Sequence, residues 1–439
     1  MVPAGIVTTT RAFISVAGSI SVSSVVLLLI VALPASPAEA QLNGPVTHEV
    51  RSDLVEPGYP VETEYPRYGE PYPRYRYWSP LPDRLWFRGE YLLWSTQGSW
   101  IPPLVTTSPP ATPQADSGVL GQPGTSILMG NESLTTGLRS GGRFNLGYWL
   151  DADRHWALEV SYLGLGTETA KYEDSSTGTP ILARPFFDIT AAAEASHLIA
   201  WPGLVLGSVR VDATTEFQAA EISFRRALFR RYDSRANGFD RYGYRVDLLA
   251  GYRFCRLDDN LRISESLASA GPTATDLYDL FDTNNEFHGA ELGVATQLRH
   301  NRWSLELLMK LALGNNRSRV FIDGSTTTTV GVAPPVTGDG GLLALTTNMG
   351  RYTQNSFAVI PELGITLGCV LTPRLRATFG YTFIYWSRVA RPGDQISLDV
   401  NPSYFPNAGP PAGPARPEFS LTTTDFWAQG MNFGLEYRF

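Results

Sequence analysis

Lysine is nearly missing from this 439-residue chain. It stands only at Lys171 and Lys310, so arginine supplies almost all of the positive charge. Arginine's planar fork makes lasting pairs with carboxylates, which suits a crowded polar interior; genomic base composition explains the same count equally well. Charge as a whole is sparse: DEKR residues make up 18%, against about 25% in ordinary soluble domains. A net charge of −7 and a pI of 5.4 remove the electrostatic case for a nucleic-acid partner. There are two cysteines, Cys255 and Cys369; strand phasing puts them on different strands facing opposite ways, which argues against a disulfide. Neither has CxxC or metal-type spacing. The five histidines (His48, His155, His197, His288 and His300) are scattered, with no HExxH pair. No G-x-S-x-G elbow or G-x-x-x-x-G-K loop occurs. No metal, no cofactor and no enzymatic activity are therefore expected. A hydrolase assembled from Ser, His and Asp on separate strands stays as a rival. "RLDDN" (256–260) has paired acids and reads either as a calcium-type loop or, more commonly, as a turn with solvated carboxylates.

Long apolar runs are also missing. The longest, Val25 to Leu33, falls short of the ~20 residues that a spanning helix needs. Arg11 precedes it and "PASPAEA" follows, so Ala38 and Ala40 supply a small-x-small cleavage pattern before Gln41. Residues 1–40 read as a cleaved export signal; a retained anchor is the alternative. The segment 41–83 alternates Pro and Tyr with charges and reads as an extended periplasmic spacer.

What the chain does have, from Arg84 to Phe439, is period-two alternation. Ten strands are predicted: 84–94, 138–150, 155–165, 216–224, 244–257, 287–299, 302–314, 357–370, 374–386 and 425–439. The seventh is the clearest, with Trp303, Leu305, Leu307, Met309, Leu311 and Leu313 on one face. Connections 2–3, 6–7 and 8–9 take a few residues, and 4–5 somewhat more. Gaps 1–2, 3–4, 5–6, 7–8 and 9–10 run to dozens of residues rich in Gly, Pro, Ser and Thr. Alternating short and long connections fit an all-β, closed antiparallel transmembrane barrel with short periplasmic turns and long extracellular loops. "PILARPFFDI" and "GLVLGSVRV" in gap 3–4 allow a further hairpin, so the expected count is ten to twelve.

The apolar faces are bulky, with Tyr148, Trp156, Trp303, Trp427 and Tyr437 near strand ends, where interfacial girdles sit. They are expected to look outward at lipid. The opposite faces carry small residues and single charges, and Arg143, Arg253, Glu291, Glu362, Arg376 and Glu436 are the candidate lumen-lining or constriction residues. Such charges line a narrow wet pore or pair across the interior and fill it; both readings stand. "EFQAAEI" (216–222) echoes "EFHGAEL" (286–292), placing Glu221 and Glu291 at one position.

The stretches "WFRGEYLLW", "FCRLDDNLRI", "FHGAELG", "PELGITLGCVLTPRLRATFGYTFIYWSRVARPGDQI" and "TTDFWAQGMNFGLEYRF" resemble the planctomycete outer-membrane beta-barrel porin family of type seven, from about Trp86 to Phe439. The resemblance implies an exported barrel in the bacterial outer membrane and carries over no functional residue. The closing Phe433, Leu435, Tyr437 and Phe439 likewise resemble the assembly signal of outer-membrane proteins, which implies the barrel-insertion machinery as a partner beside outer-membrane lipid. The expected function is a passive porin-like channel for small solutes. The alternative is a non-conducting anchor whose surface loops serve envelope structure or interaction.

Overall fold

The computed structural model describes residues 84–234, 240–406 and 408–439. The proposed signal, with Ala38, Ala40 and Gln41, and the proposed spacer lie outside them. Ten long strands form the wall: β1 (Leu85–Thr96), β2 (Leu138–Trp149), β3 (Trp156–Ser176), β4 (Val205–Ser234), β5 (Asp240–Ser269), β6 (Thr273–His300), β7 (Trp303–Val330), β8 (Gly350–Val370), β9 (Leu375–Val389) and β10 (Thr424–Arg438). Each pairs antiparallel with the next, and β1 pairs with β10 from Trp86↔Arg438 to Thr96↔Ala428. The ring is closed, so no edge remains to be satisfied. The strand count is ten, and the extra hairpin considered for gap 3–4 is absent from the wall. "GLVLGSVRV" is mostly the start of β4, and "PILARPFFDI" supplies a loop strand, Leu182–Asp188.

The wall is uneven in height. Strands β4 to β7 run 28 to 30 residues, while β1, β2, β9 and β10 run 12 to 15. At about 3.3 Å per residue the tall strands measure roughly 90–100 Å, about three times a tilted membrane span. The expected long loop between β5 and β6 is in fact a turn at 270–272, because both strands continue past the point where their oily alternation stops. "RLDDN" is likewise neither turn nor loop but mid-strand. Asp258 faces out beside Arg256 at 2.6 Å, and Asp259 faces in, buried against Arg391 at 2.8 Å.

Side-chain polarity inverts partway up each tall strand, so the expected outward apolar faces hold for the lower part of the wall and not beyond it. Near the short turns, β4 exposes Ile222 and Phe224 and buries Ser223; higher up it buries Phe217, Val211 and Val209 and exposes Arg210. β5 exposes Leu248 and Tyr252 over buried Asp247 and Arg253, then buries Leu257, Leu261 and Ile263. β7 exposes Trp303, Met309, Leu311 and Leu313, then buries Val320 and Ile322. The outward oily stretch from Trp303 to Leu313 matches the roughly 9–11 residues of a tilted span. Tyr148, Trp156, Trp303 and Tyr437 are exposed near its turn-side margin.

Above the inversion the tall wall behaves like one sheet of a soluble sandwich, and the connections β1–β2, β3–β4 and β9–β10 fold in as its partner. A second sheet joins Val105–Thr107, Ser126–Met129, Leu182–Asp188, Ala193–Ala200 and Asp399–Val400. Its Val105, Leu182, Phe186 and Ile199 share one buried core with Val209, Ile263, Phe281 and Ile322 of the wall.

Polar clamps hold this plug. Arg184, buried in the core, reaches Glu265 at 2.6 Å and Asp279 at 2.8 Å. Asp279 Oδ1 accepts the amides of Leu342, Leu343 and Ala344 at 2.9, 3.0 and 2.8 Å, pinning the 331–349 connection. Asn285 exchanges two bonds with the backbone of Ala390, both 2.8 Å. Burial alone would lift the Glu265 carboxyl, but Arg184 and then His197 outweigh it and hold its pKa below the ordinary 4.5.

A depressed carboxylate adds stability that is complete above its unfolded pKa and is lost as pH falls through the folded one. The melting temperature of the wild type should therefore drop more steeply between pH 5 and pH 3 than that of Glu265→Gln. At pH 7 that variant should be about 3 kcal/mol less stable, since one partner of a buried pair is removed. Equal slopes for the two proteins refute the assignment.

Candidate functional site: the filled bore

Below the inversion, the parity that sends oily side chains outward sends charges inward. All six candidate residues point into the bore and are buried. Four of them join one chain of ion pairs. Arg253 bonds Glu291 at 3.0 Å and also Glu362, and Arg143 lies 3.8 Å from both Glu362 and Glu90. The other two, Arg376 and Glu436, meet at 3.1 Å in a second cluster with Arg88, Arg438 and Glu306. A third cluster ties Arg225 to Glu159 at 3.1 Å and to Asp247 at 3.7 Å, with Arg245 on Asp247 at 2.6 Å.

Glu221 and Glu291, the two carboxylates of the sequence echo, converge on one cation. Lys310 bonds Glu221 directly and lies 3.4 Å from Glu291. The echo falls within β4 and β6, not at the start of strands as expected. The candidate set omits Arg88, Glu90, Glu159, Arg225 and Glu306, although each shares the inward parity of its strand and could have been found by counting in twos.

Two glycines show how tightly the charges are packed. A Cβ on Gly147 would run into the Trp86 indole, and one on Gly368 into the Arg376 guanidinium. The cavity left among the charges measures about 50 Å³, room for a few waters at most.

Above the charges lies an apolar floor. Trp94, Phe217, Phe287, Trp386 and Phe426 meet across the bore, with Phe217 5.2 Å from Phe426 and 6.5 Å from Trp386 between ring centroids, and Phe287 6.3 Å from Trp386. None of the five has measurable exposure. Trp94 is fixed from both sides: its indole N–H donates to Asn432 at 2.7 Å, and Arg143 sits 5.3 Å over its ring. Cys255 belongs to this floor, whereas Cys369 is half-buried on the outward parity of β8, and both are free thiols. The bore is therefore blocked, first by paired charge and then by aromatic rings.

Among the described residues, Asp151, Asp153 and His155 form one exposed group with metal-ligand proximity. Asp151 is already spent on the turn, accepting the Trp156 and His155 amides at 2.7 and 2.9 Å. Those bonds, the Trp156 amide first, lower its pKa to about 2.

Residues 86–439 match the family model described as "Putative beta barrel porin-7 (BBP7)". A search of curated proteins found no match. Among solved structures, the outer membrane protease OmpT from Escherichia coli aligns at 10% identity and a TM-score of 0.38, over 82% of this chain and 97% of its own. The Pseudomonas putida toluene transporter TodX aligns at 9% identity and 0.20, over 81% and 90%. A Pseudomonas aeruginosa FadL homologue aligns at 9% and 0.19, over 81% and 90%. Likeness at these scores carries no argument about what the bore does.

Because Lys310 balances two buried carboxylates, Lys310→Met should destabilise the barrel by about 3–5 kcal/mol. The double variant Lys310→Met with Glu221→Gln should recover part of that loss. Additive losses in denaturant unfolding contradict the pairing.

Proposed function

The chain belongs to the beta barrel porin-7 family, and on that premise we propose that this outer-membrane barrel is a porin-like channel for small solutes, held shut in this state by its own interior. The observation that carries the proposal is the stacking order of the interior. From the turn end, polar space reaches the charge clusters and stops at the rings of Trp94, Phe217, Phe287, Trp386 and Phe426. Apolar constrictions close pores by excluding water. Arg143, Arg253, Glu291, Glu362, Arg376 and Glu436 then act as the selectivity lining beneath the closure.

The same reading takes the barrel to be non-enzymatic. The acids and bases of the bore are committed to each other, which leaves little free for proton transfer. Lipid as the outer partner is supported by the exposed oily belt. A role for the C-terminal strand in insertion is supported by Phe433, Leu435 and Tyr437, which stand exposed on one face with Phe439 edge-on to Tyr437 at 5.0 Å. Deleting Phe439 should lower the yield of membrane-inserted barrel several-fold, measured by protease resistance of the membrane fraction; an unchanged yield overturns that role.

A second reading is favoured by the outer core. A bore filled by loops that share a buried core with the wall suits a non-conducting barrel that displays an outer surface. Planar-bilayer recording separates the two. The channel reading expects rare steps from the wild type and at least tenfold more open events from the double variant Phe217→Ala and Trp386→Ala, with Glu362→Gln changing ion selectivity. Silence from every variant, all confirmed as folded by melting, leaves the anchor.

A further inference from the structure

The turn end of the bore opens into a cavity of about 330 Å³ between the charge clusters and the exterior. It shares Arg88, Arg225 and Glu306 with the small chamber above it, so the two are neighbours along the axis. The lining is one-sided in charge. Setting aside Arg154 and Arg299, which are otherwise engaged, six arginines face three carboxylates, Asp247, Glu306 and Glu436.

Each of those carboxylates is already divided among several cations. Glu436 takes Arg88 at 3.0 Å, Arg376 at 3.1 Å and Arg438 at 2.7 Å. Asp247 takes Arg245 at 2.6 Å and Arg225 at 3.7 Å. Glu306 is shared by Arg88 at 3.2 Å and Arg376 at 3.8 Å. Glu159, behind the lining, meets Arg225 at 3.1 Å. Of the nearby turn acids, Asp151 is bonded to its own turn.

Backbone carbonyls, which carry no net charge, hold two of the cations in place. Arg230 donates to the Asp153 carbonyl, and Arg245 to the Arg154 carbonyl at 3.1 Å. Arg245 also lies 4.3 Å over the Trp149 ring, which is tilted against Trp86 at 4.7 Å, so the wall behind the guanidiniums is aromatic. Arg376 is buried, with Nε and Nη2 lacking any hydrogen-bond partner.

We propose that this vestibule binds a small polyanion, a solute with two or more phosphate or carboxylate groups, through the forked donors of its surplus arginines. Guanidinium forks match both groups bidentately. The volume sits at the low end of the roughly 300–1,000 Å³ that ligand pockets occupy, which favours a compact ion over a polymer. The inference deepens the channel reading by naming a solute class for its turn-side mouth. Its test, however, reads equilibrium binding without current, so binding with silent bilayers would retire the channel and keep the site.

The experiment is calorimetric titration of the full chain in zwitterionic detergent, in phosphate-free buffer, with tripolyphosphate and separately with citrate. Saturable one-to-one binding is expected, weakening as salt rises from 50 to 300 mM. The double variant Arg230→Gln and Arg438→Gln should weaken it at least tenfold, and Arg230→Gln alone, at the exposed rim, about threefold to fivefold. Quenching or enhancement of tryptophan fluorescence should track saturation, because Trp86 and Trp149 line the cavity. Binding of tripolyphosphate alone identifies a phosphate site, and binding of both anions a general polyanion site. Failure of both anions to saturate, or equal affinity in the wild type and a correctly melting Arg230→Gln protein, overturns the proposal.

Discussion

A closed ring of hydrogen-bonded strands leaves only the side chains free to choose an environment, and in this molecule they choose twice. Near the short turns the environment outside is oily, so apolar residues go out and ionic ones are confined to the bore. Higher up the outside is polar, and the same strands reverse their faces without breaking their pairing. Everything distinctive about the interior follows from where that reversal falls. Charge has to be neutralised below it, and an apolar lining has to be covered above it.

The two halves meet these demands by different means. Below, neutralisation is local and shared, with carboxylates such as Glu362 and Glu436 each serving more than one cation. In a dry setting an unshared carboxylate costs several kcal/mol, which explains why inward charges occur as clusters and not singly. Above, the lining is covered by loops that bring their own sheet, clamped at Arg184, Asp279 and Asn285. The aromatic floor sits at the junction, where neither water nor loop backbone is needed.

Ten strands, their order and the facing of their lower halves were legible in the sequence, because Trp303 to Leu313 and Phe433 to Phe439 alternate over the length a membrane demands. The inward burial of Arg143, Arg253, Glu291 and Glu362 followed from the same parity. What the sequence concealed was the upper half of the wall. Past Leu257 or Leu313 the alternation persists with its phase reversed, so Val209, Val211, Ile263 and Ile322 read as scattered apolar residues in polar, loop-like text. The partners of those residues lie far away in the chain, as Leu182 and Leu343 do, and no local pattern points to them. Glu90, Glu306 and Arg88 were legible by the same parity, but which partner each meets depends on height within the barrel, which register decides and spacing alone does not.

The unequal height of the wall also dictates an order of events. Strands β4 to β7 are consecutive, and hairpins between neighbours in sequence zip with little loss of chain entropy. The seam from Trp86 to Arg438 joins the two ends of the barrel sequence, so it is the costliest contact to find. Of the connections that cover the tall wall's inner face, 177–204 and 331–349 are joined to β4 and β7 themselves, while 97–137 and 390–423 leave from the strands at that seam. A growing curved sheet with a greasy concave surface therefore carries part of its lining with it, and closing the seam between the first and last strands delivers the rest.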